Sequence, residues 1–324
     1  MYKKIWKPLR EEEFDIIHCS HLFLLPIAIF IARKKKAKVI YDAYERYAAD
    51  IADGYFPFFK DVIRKVIEMG ENVFVKRVSG VLTISSANEV LKKRYQKFCE
   101  NVEVLYNVPL PSTPIINESE IEKLRDMYKG RYIVTYVGEL AEDRGLFTFV
   151  EVLDLVGKEF PNTLLLLIGE FSYQTDRNKF LKQIMEKGIE AYVHMLPWLP
   201  YNKMFQYLKI SHVGLAPYKQ EWRFRWVGKG TSRKIFTYMQ AGLPIVAPNF
   251  WEIAKVVEEE KCGLLVDTTD SKEIANAILY LLKHPEEAKR MGENGRKAII
   301  EKYNWENESK KLLLVYKRIS GDNL

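Results

Sequence analysis

The stretch 231–234 reads Thr-Ser-Arg-Lys and directly precedes a segment with helical periodicity. It closes a basic loop, 228–234, that holds three cations and two glycines. A serine or threonine before a helix commonly caps free backbone amides, yet a cap requires no cations. The start of a helix also attracts anions, and ammonium and guanidinium groups there favour phosphate oxygens. The pattern therefore predicts a diphosphate site at the start of this helix.

A second cation is placed in a similar way. The apolar run 132–137 is typical of a buried strand, Gly138 follows it, and Arg144 and Gly145 stand where the next helix is predicted to begin. Because anions bind where parallel strands end and helices start, the two predicted sites could serve one ligand. An ordinary loop with a surface arginine is the alternative interpretation, and this segment alone fits both equally.

These residues need a scaffold of parallel strands, which the hydrophobic pattern predicts. Short β-rich runs alternate with amphipathic segments, as in an α/β protein. The predicted strands are 14–18, 38–41, 80–84, 102–105, 132–137, 163–168, 192–196, 212–216, 245–247 and 264–266. Three prolines between positions 109 and 114 predict a linker between two α/β units.

Composition excludes several classes of protein. The apolar run 22–32 contains Pro26 and falls short of the roughly 20 residues of a membrane span, and no secretory signal is recognised. Three separated cysteines suggest neither disulfides nor a metal site, so a cytoplasmic protein is expected. The net charge of +7 comes largely from the first third. Its basic clusters, 33–36 and 92–94, are interpreted as solvated faces rather than as sites for lipid phosphates, and no nucleic-acid partner is predicted.

Several segments together resemble one enzyme family. They are FDIIHCSHLF, VLTISSANEVLKKRY, VEVLYNVP, YVGELAEDRGL, LLLLIGE, LPWLPYNKMFQYLKISHVGLAPY and SRKIFTYMQAGLPIVAP. In this order they are similar to the family-4, or group 1, glycosyltransferases of the GT-B fold. The resemblance implies an α/β protein with two Rossmann-like domains. It places a reduced N-terminal domain at 1–110, a linker at 111–130, a complete donor domain at 131–300 and a C-terminal helix, packing toward the first domain, at 301–324.

The resemblance also implies how a donor is held. Arg144 and Lys234 would bind the diphosphate of a nucleotide sugar and stabilise the departing nucleotide in place of a metal ion, so no metal and no cofactor are expected. Ser232 would donate a hydrogen bond to phosphate. The donor-binding residues predicted in this way are Gly138, Glu139, Arg144, Tyr218, Lys229, Thr231, Ser232, Lys234 and Thr237.

Three of these positions depart from the family pattern. Members usually carry two glutamates where this chain has Lys229 and Thr237, and a cation where it has Glu139. A carboxylate beside a diphosphate repels it unless it turns toward a sugar or ribose hydroxyl. Either the donor is bound differently, with Glu139, Glu221 or Lys229 in place of the missing glutamates, or activity is weakened or lost.

The first domain supplies the predicted catalytic residues. By position in the family segment these are His18, His21 and Glu45. The histidines stand at the end of a strand, where open α/β sheets bind ligands, and Glu45 could orient an acceptor hydroxyl or accept its proton. The alternative is a hydrogen-bonded structural histidine, which is the commoner role of a lone histidine at a strand end.

Family members normally have three further strands and a glycine-rich loop before the segment that matches residue 14. The sequence has no room for them there. Either the chain is a fragment, or its first sheet is reduced and strand 14–18 has an unpaired edge.

The run 54–78, GYFPFFKDVIRKVIEMGENVFVKRV, joins an aromatic cluster to a basic amphipathic pattern. It predicts either a surface that meets a membrane or a lipid-linked acceptor, or a helix packed on its own sheet. The packed helix is the simpler interpretation.

The expected function is that of the family. A cytoplasmic hexosyltransferase, peripheral to the inner face of the membrane, would move a sugar from a nucleotide-diphosphate donor to a glycan or lipid-linked acceptor. Retention of configuration is implied by the resemblance alone. The missing glutamates favour an alternative, a degenerate and non-catalytic nucleotide-sugar-binding protein or subunit. A nucleotide-sugar epimerase on the same fold has no clear support in these segments.

Overall fold

The computed structural model describes residues 7–44, 47–48, 51–52, 56, 58–84, 88–219 and 232–321. These residues form two compact units. The first takes in the described residues up to Asn107 and those from Glu306 onward, and the second extends from Val108 to Trp305. Each unit is built around its own parallel sheet, which confirms the α/β class.

The strands begin and end within two residues of the predicted limits. They are β1 (Ile16–Cys19), β2 (Lys38–Ala43), β3 (Gly80–Ile84), β4 (Val102–Leu105), β5 (Tyr132–Val137), β6 (Thr163–Ile168), β7 (Val193–Leu196), β8 (Val213–Leu215), β9 (Ile245–Pro248) and β10 (Gly263–Val266).

Helices lie between the strands and at the C-terminal end. They are α1 (Leu25–Lys35), α2 (Lys60–Val75), α3 (Asn88–Tyr95), α4 (Glu118–Met127), α5 (Thr148–Glu159), α6 (Gln174–Glu186), α7 (Tyr201–Lys209), α8 (Arg233–Ala241), α9 (Trp251–Glu259), α10 (Ser271–Lys283), α11 (Pro285–Glu301) and α12 (Trp305–Ser320). In the described part of the chain, no helix combines the length and apolar character needed to cross a bilayer.

The first sheet has the strand order β1-β2-β3-β4. Because side chains alternate along a strand, β2 contributes to two layers of core. Val39 and Tyr41 pack with α1 and α2, whereas Ile40 packs against Val315 and Ile319 of α12. Among the described residues β1 pairs with β2 alone, so no strand covers its other edge.

The second sheet has the order β10-β9-β8-β5-β6-β7. Its strands are short and mostly apolar, and β6 is buried along its whole length, as expected for a sheet with helices on both faces. The order of strands reverses between β5 and β8. In open parallel sheets such a reversal leaves a crevice at the carboxyl ends of the strands, where ligands bind.

The structure differs from the predicted linker 111–130. The whole stretch belongs to the second unit, in which Asn117 caps α4 and Ile121 of that helix is buried. The proline-rich segment before it is also bound there, since the Gln240 side-chain amide donates to the carbonyls of Leu110 and Ser112, both at 2.8 Å.

Helix α2 combines features of both interpretations of the run 54–78. Ile67, Phe74 and Val75 pack into the core of the first unit. The opposite side of the same helix exposes a row of apolar side chains, so packing on the sheet explains only half of this helix.

Candidate functional site

The site begins at the carboxyl end of β5, where the chain turns at Gly138. Its φ of +143° is one that residues with a side chain rarely adopt. A Cβ atom at Gly138 would lie 3.1 Å from Lys234 Nζ, and one at Gly169, after β6, would lie 2.0 Å from the Gly138 carbonyl oxygen. The two glycines therefore allow the neighbouring strand ends and the lysine to come together.

Lys234 enters this space from the first turn of α8. Ser232 caps the helix, and its hydroxyl accepts a hydrogen bond from the Lys234 amide at 3.3 Å. Lys234 Nζ lies 3.3 Å from the centre of the Tyr136 ring and 5.0 Å from that of the Tyr218 ring. The negative faces of aromatic rings attract cations, so two tyrosines hold the ammonium group in place.

The surroundings of Lys234 disfavour its charge. Burial, and next the nearby guanidinium of Arg144, hold the pKa of Lys234 well below its ordinary value, while the carboxylates of Asp143 and Glu139 oppose this shift. No carboxylate of the described residues comes within ion-pair distance of Lys234 Nζ. An incoming anion would therefore stabilise the protonated lysine.

Arg144 lies over the same tyrosine ring as Lys234. Its Cζ is 5.5 Å from the centre of the Tyr218 ring. It ends a single turn of 3-10 helix, Glu142–Arg144. Gly145 follows with φ of +82°, and a Cβ atom there would lie 2.5 Å from the Pro217 carbonyl oxygen. The predicted helix start at Arg144 and Gly145 is wrong, since the α-helix begins only at Thr148 and the tight turn comes first.

Two carboxylates lie beside Arg144. Glu139 Oε2 lies 3.5 Å from a terminal nitrogen of Arg144, and Asp143 Oδ2 lies 3.9 Å from Arg144 Nε. These distances are longer than those of strong charge-assisted hydrogen bonds. Glu139 is also 42% exposed, so its carboxylate can turn away from the cations. No group of three His, Cys, Asp or Glu side chains suited to a metal ion occurs among the described residues.

Sequence reasoning missed three residues of this cluster, namely Tyr136, Asp143 and Tyr238. The Tyr136 hydroxyl donates to the Glu139 carbonyl at 2.7 Å. The Tyr238 hydroxyl accepts from the Val137 amide and donates to a carbonyl of β8, both at 3.0 Å. Tyr238 thus ties β5 to β8 beneath the cations. The signal in the sequence was the position of these residues within the recognised segments YVGELAEDRGL and SRKIFTYMQAGLPIVAP.

The structure brings Gly138, Glu139, Arg144, Tyr218, Ser232 and Lys234 together, and the Tyr218 and Ser232 hydroxyls are hydrogen-bonded to each other. It does not bring Thr237 to them. The Thr237 hydroxyl donates to the Arg233 carbonyl at 3.1 Å, and the side chain is buried one turn before Gln240. Lys229, Thr231 and Glu221 lie outside the described residues.

The predicted catalytic histidines lie in the first unit. One ring nitrogen of His18 is 2.7 Å from the Tyr316 hydroxyl of α12, and the other is 3.2 Å from Asp42 Oδ2. His21 is hydrogen-bonded to the Tyr47 hydroxyl. A carboxylate that orients an imidazole serves a structural histidine and an acid–base group equally well. Glu45 lies outside the described residues.

Comparison with known proteins agrees with this arrangement. Residues 117–298 match the family model of the group 1 glycosyl transferases. An uncharacterized glycosyltransferase of Methanocaldococcus jannaschii is 22% identical over 98% of this chain and 79% of its own length. The alpha-D-kanosaminyltransferase of Streptomyces kanamyceticus is 22% identical over 81% of this chain and 66% of its own length.

A solved structure shows the same fold. The Anabaena protein HepE in complex with UDP superposes with a TM-score of 0.75 at 16% identity, covering 98% of this chain and 82% of that one. HepE has also been solved with UDP-glucose. The fold is therefore GT-B. Because the family model matches more than half of the sequence, the chain belongs to the group 1 glycosyl transferases.

Proposed function

We propose that this glycosyltransferase moves a hexosyl group from a nucleoside diphosphate sugar to a glycan or lipid-linked acceptor, with retention of configuration and without a metal ion. The observation that carries the proposal is the meeting of Arg144 and Lys234 over the Tyr218 ring, where β5 and β8 end. Two fixed cations at a strand switch point suit a diphosphate.

The reaction requires positive charge at this point. When the bond between the sugar and the diphosphate breaks, negative charge develops on the leaving phosphate. Arg144 and Lys234 are held in advance by tyrosine rings and a capped helix, so they can stabilise that charge with little reorganisation. Lys234, whose pKa is lowered by burial and by Arg144, gains most from the arriving anion.

Relatives support a transferase over a binding protein. The Methanocaldococcus jannaschii and Streptomyces kanamyceticus relatives are named as glycosyltransferases, and HepE binds UDP and UDP-glucose. We therefore favour turnover over the non-catalytic alternative. On the acceptor side we propose His18, oriented by Asp42, with His21 and Glu45, as the acid–base residues. A position at the inner face of the membrane is part of the same proposal.

Nucleotide binding tests the donor site. In titration calorimetry with UDP and GDP, Arg144→Ala and Lys234→Ala should each weaken binding by roughly 10- to 100-fold, the effect of losing one charge-assisted contact. Arg131→Ala is a matched control, because Arg131 stacks at 5.8 Å over Tyr192 and directly precedes β5, at its amino end. Unchanged affinity in both site variants would contradict the assignment.

Turnover tests the reaction. A panel of UDP- and GDP-sugars, with release of nucleoside diphosphate followed over time, should identify a donor that is consumed equally with and without a chelator. The product's anomeric configuration can then be read by NMR. Binding without consumption of any donor, also in the presence of acceptors, would instead favour the non-catalytic protein.

A further inference from the structure

A cavity lies at the edge of the first sheet, beside β4. Its volume is about 390 Å³, and among the described residues β4 pairs with β3 alone. Helices on both faces of the sheet contribute to the cavity, because α3 packs with Tyr41 and Val81 whereas α12 packs with Ile40 and Leu82. The polar and charged side chains that line it are Lys92, Lys93, Gln96, Glu103, Tyr106 and Lys311. The cavity therefore brings lysines of two helices together over one strand edge.

Two of these lysines come from the basic run 92–94. Arg94 turns inward and pairs with the buried Glu71 at 2.7 Å, so the run is not simply the solvated face that the sequence suggests. Lys92 is half-buried and lines the cavity together with Lys93. In the part of the chain that the structure describes, no side chain forms an ion pair or a hydrogen bond with the Lys92 ammonium group. A partly buried cation of this kind favours an anionic ligand.

The third lysine is held in place by a buried carboxylate. Lys311 Nζ lies 2.7 Å from Glu308 Oε1 and 5.3 Å from the centre of the Tyr106 ring. Glu308 is 3% exposed, and its other oxygen accepts a hydrogen bond from the Tyr106 amide at 2.9 Å. Since an ammonium group has three N–H donors, Lys311 can bind Glu308 and still donate to a ligand in the cavity.

A second carboxylate lies on the strand edge. Glu103 Oε1 accepts a hydrogen bond from the Val104 amide at 3.2 Å, and Glu103 Oε2 lies 4.0 Å from Arg318. The amides of Val104 and Tyr106 thus both have side-chain acceptors. An added peptide strand needs such amides as donors, so the edge is poorly suited to a peptide.

The charge at this edge selects the ligand. Among the described residues four cations, Lys92, Lys93, Lys311 and Arg318, stand with two carboxylates, Glu103 and Glu308. This set of side chains carries a charge of +2. A phosphate monoester has a charge of about −1.5 to −2 at neutral pH, which matches that excess, and lysine binds phosphate as a point charge.

The other polar groups of the cavity suit hydroxyls. The Gln96 side chain is exposed, and its amide has no hydrogen-bond partner among the described residues. It offers donors and an acceptor, and the Glu103 carboxylate has further acceptor positions. Because the cavity is much larger than a phosphate group, a hydroxyl-bearing ring fits beside the phosphate.

We infer that this cavity binds a phosphorylated hexose. Lys92, Lys93 and Lys311 hold the phosphate, and Gln96 and Glu103 contact hydroxyls of the sugar. A free hexose phosphate and a phosphorylated residue of a glycan offer the same groups to the cavity. The inference uses no residue of the donor site and needs no turnover, so it stands or fails separately from the proposed reaction.

Titration calorimetry of the full chain tests the inference. Glucose 6-phosphate should bind at one site, with the same affinity in the presence of excess UDP, because the residues proposed to bind the donor lie in the second unit. Glucose should not bind measurably. Inorganic phosphate should bind several-fold more weakly than glucose 6-phosphate, since it lacks the contacts to hydroxyls.

Variants of the lining residues locate the site. Lys92→Gln should weaken binding of glucose 6-phosphate by roughly 10- to 100-fold, the effect of losing one charge-assisted contact, with thermal unfolding unchanged. Lys97→Gln is the matched control, because Lys97 is exposed, lies five residues further along the chain and does not line the cavity. Gln96→Ala should weaken binding of glucose 6-phosphate and leave that of inorganic phosphate unchanged.

A phosphate-bearing oligosaccharide distinguishes the two sources of the ligand. Tighter binding of phosphopentamannose than of glucose 6-phosphate would assign the cavity to a phosphorylated glycan. Equal or weaker binding of the oligosaccharide would assign it to a free hexose phosphate.

Four results would overturn the inference. These are an absence of saturable binding of both sugar phosphates, equal loss of affinity in Lys92→Gln and Lys97→Gln, equal affinity for inorganic phosphate and glucose 6-phosphate, and displacement of glucose 6-phosphate by UDP. The last result would assign the binding to the donor site of the second unit.

Discussion

Two charged side chains, Glu71 and Lys234, have opposite surroundings. Glu71 of the first unit accepts hydrogen bonds from the Tyr41 and Tyr95 hydroxyls at 2.9 and 2.8 Å and pairs with Arg94 at 2.7 Å. Lys234 of the second unit has aromatic faces around its ammonium group, and among the described side chains it has no carboxylate at ion-pair distance.

The contrast separates a structural ion from a functional one. A buried ion whose hydrogen-bonding capacity is filled by the protein holds the surrounding elements in place, and its loss leaves partners unsatisfied. A cation that has no carboxylate at ion-pair distance destabilises the fold and can bind an anionic ligand. The two groups should therefore respond oppositely to mutation.

The largest expected effect is on Glu71. Glu71→Ala should lower the free energy of unfolding of the first unit by about 3–5 kcal/mol, since Arg94 would lose its anion and the Tyr41 and Tyr95 hydroxyls would lose this acceptor. Urea denaturation measures the change. Glu68→Ala, one turn away and partly buried, is the control and should cost far less. A loss for Glu71→Ala no larger than that of the control would remove the contrast.

The next largest effect is that of Lys234→Met, which should change nucleotide binding and stability in opposite directions. Lys234→Met should weaken UDP or GDP binding at least roughly tenfold and yet raise the free energy of unfolding of the second unit by about 1 kcal/mol, because a disfavoured charge is removed from between Tyr136 and Tyr218. Calorimetry and thermal unfolding on the same samples check both. Reduced stability in this variant would show that the fold depends on the lysine.

Affinity for the nucleotide should also depend on pH. The pKa of Lys234 is lowered by burial and by Arg144, against Asp143 and Glu139. Below that lowered pKa the lysine is charged and the affinity for the nucleotide is highest. As the pH rises through this pKa, the free protein loses the ammonium charge and the affinity falls several-fold. Binding then takes up a proton. Lys234→Arg, which cannot deprotonate in this range, should flatten the profile. An equally steep profile in that variant would assign the titration to another group.

The smallest effect concerns Glu139. Replacing it in Glu139→Gln removes a negative charge beside Arg144 and should improve nucleoside diphosphate binding by about 0.5–1 kcal/mol, the scale of a partly exposed ion pair. Glu142→Gln is the control. Glu142 lies in the 3-10 turn that ends at Arg144 and is exposed, so this variant should change nucleoside diphosphate binding little. Weaker binding in Glu139→Gln would mean that the carboxylate itself contacts the ligand.

Much of the scaffold follows from the sequence. The bounds of β5 and β6 are predicted to the residue, because strands covered on both faces are uninterrupted apolar runs. Arg144 and Lys234 can also be singled out, since they follow such runs or precede a helix. Their meeting over Tyr218 is a long-range contact, and no local pattern specifies it.

Other features depend on contacts that the sequence does not display. Glu71 stands in an amphipathic helix, where a glutamate normally faces water, and only its partners on β2 and α3 make it a core residue. Likewise Tyr136 reads as an ordinary strand aromatic, although its ring supports Lys234. The proline-rich segment predicts a free linker because the sequence cannot show that Gln240 binds its carbonyls.

The contact between Gly145 and Pro217 limits how this site can diversify. Any side chain at position 145 would collide with the Pro217 carbonyl and move the Arg144 loop away from the Tyr218 ring. Variation toward new sugars or bases must therefore arise elsewhere. A library built to alter donor choice should keep these two positions fixed and randomise their surroundings.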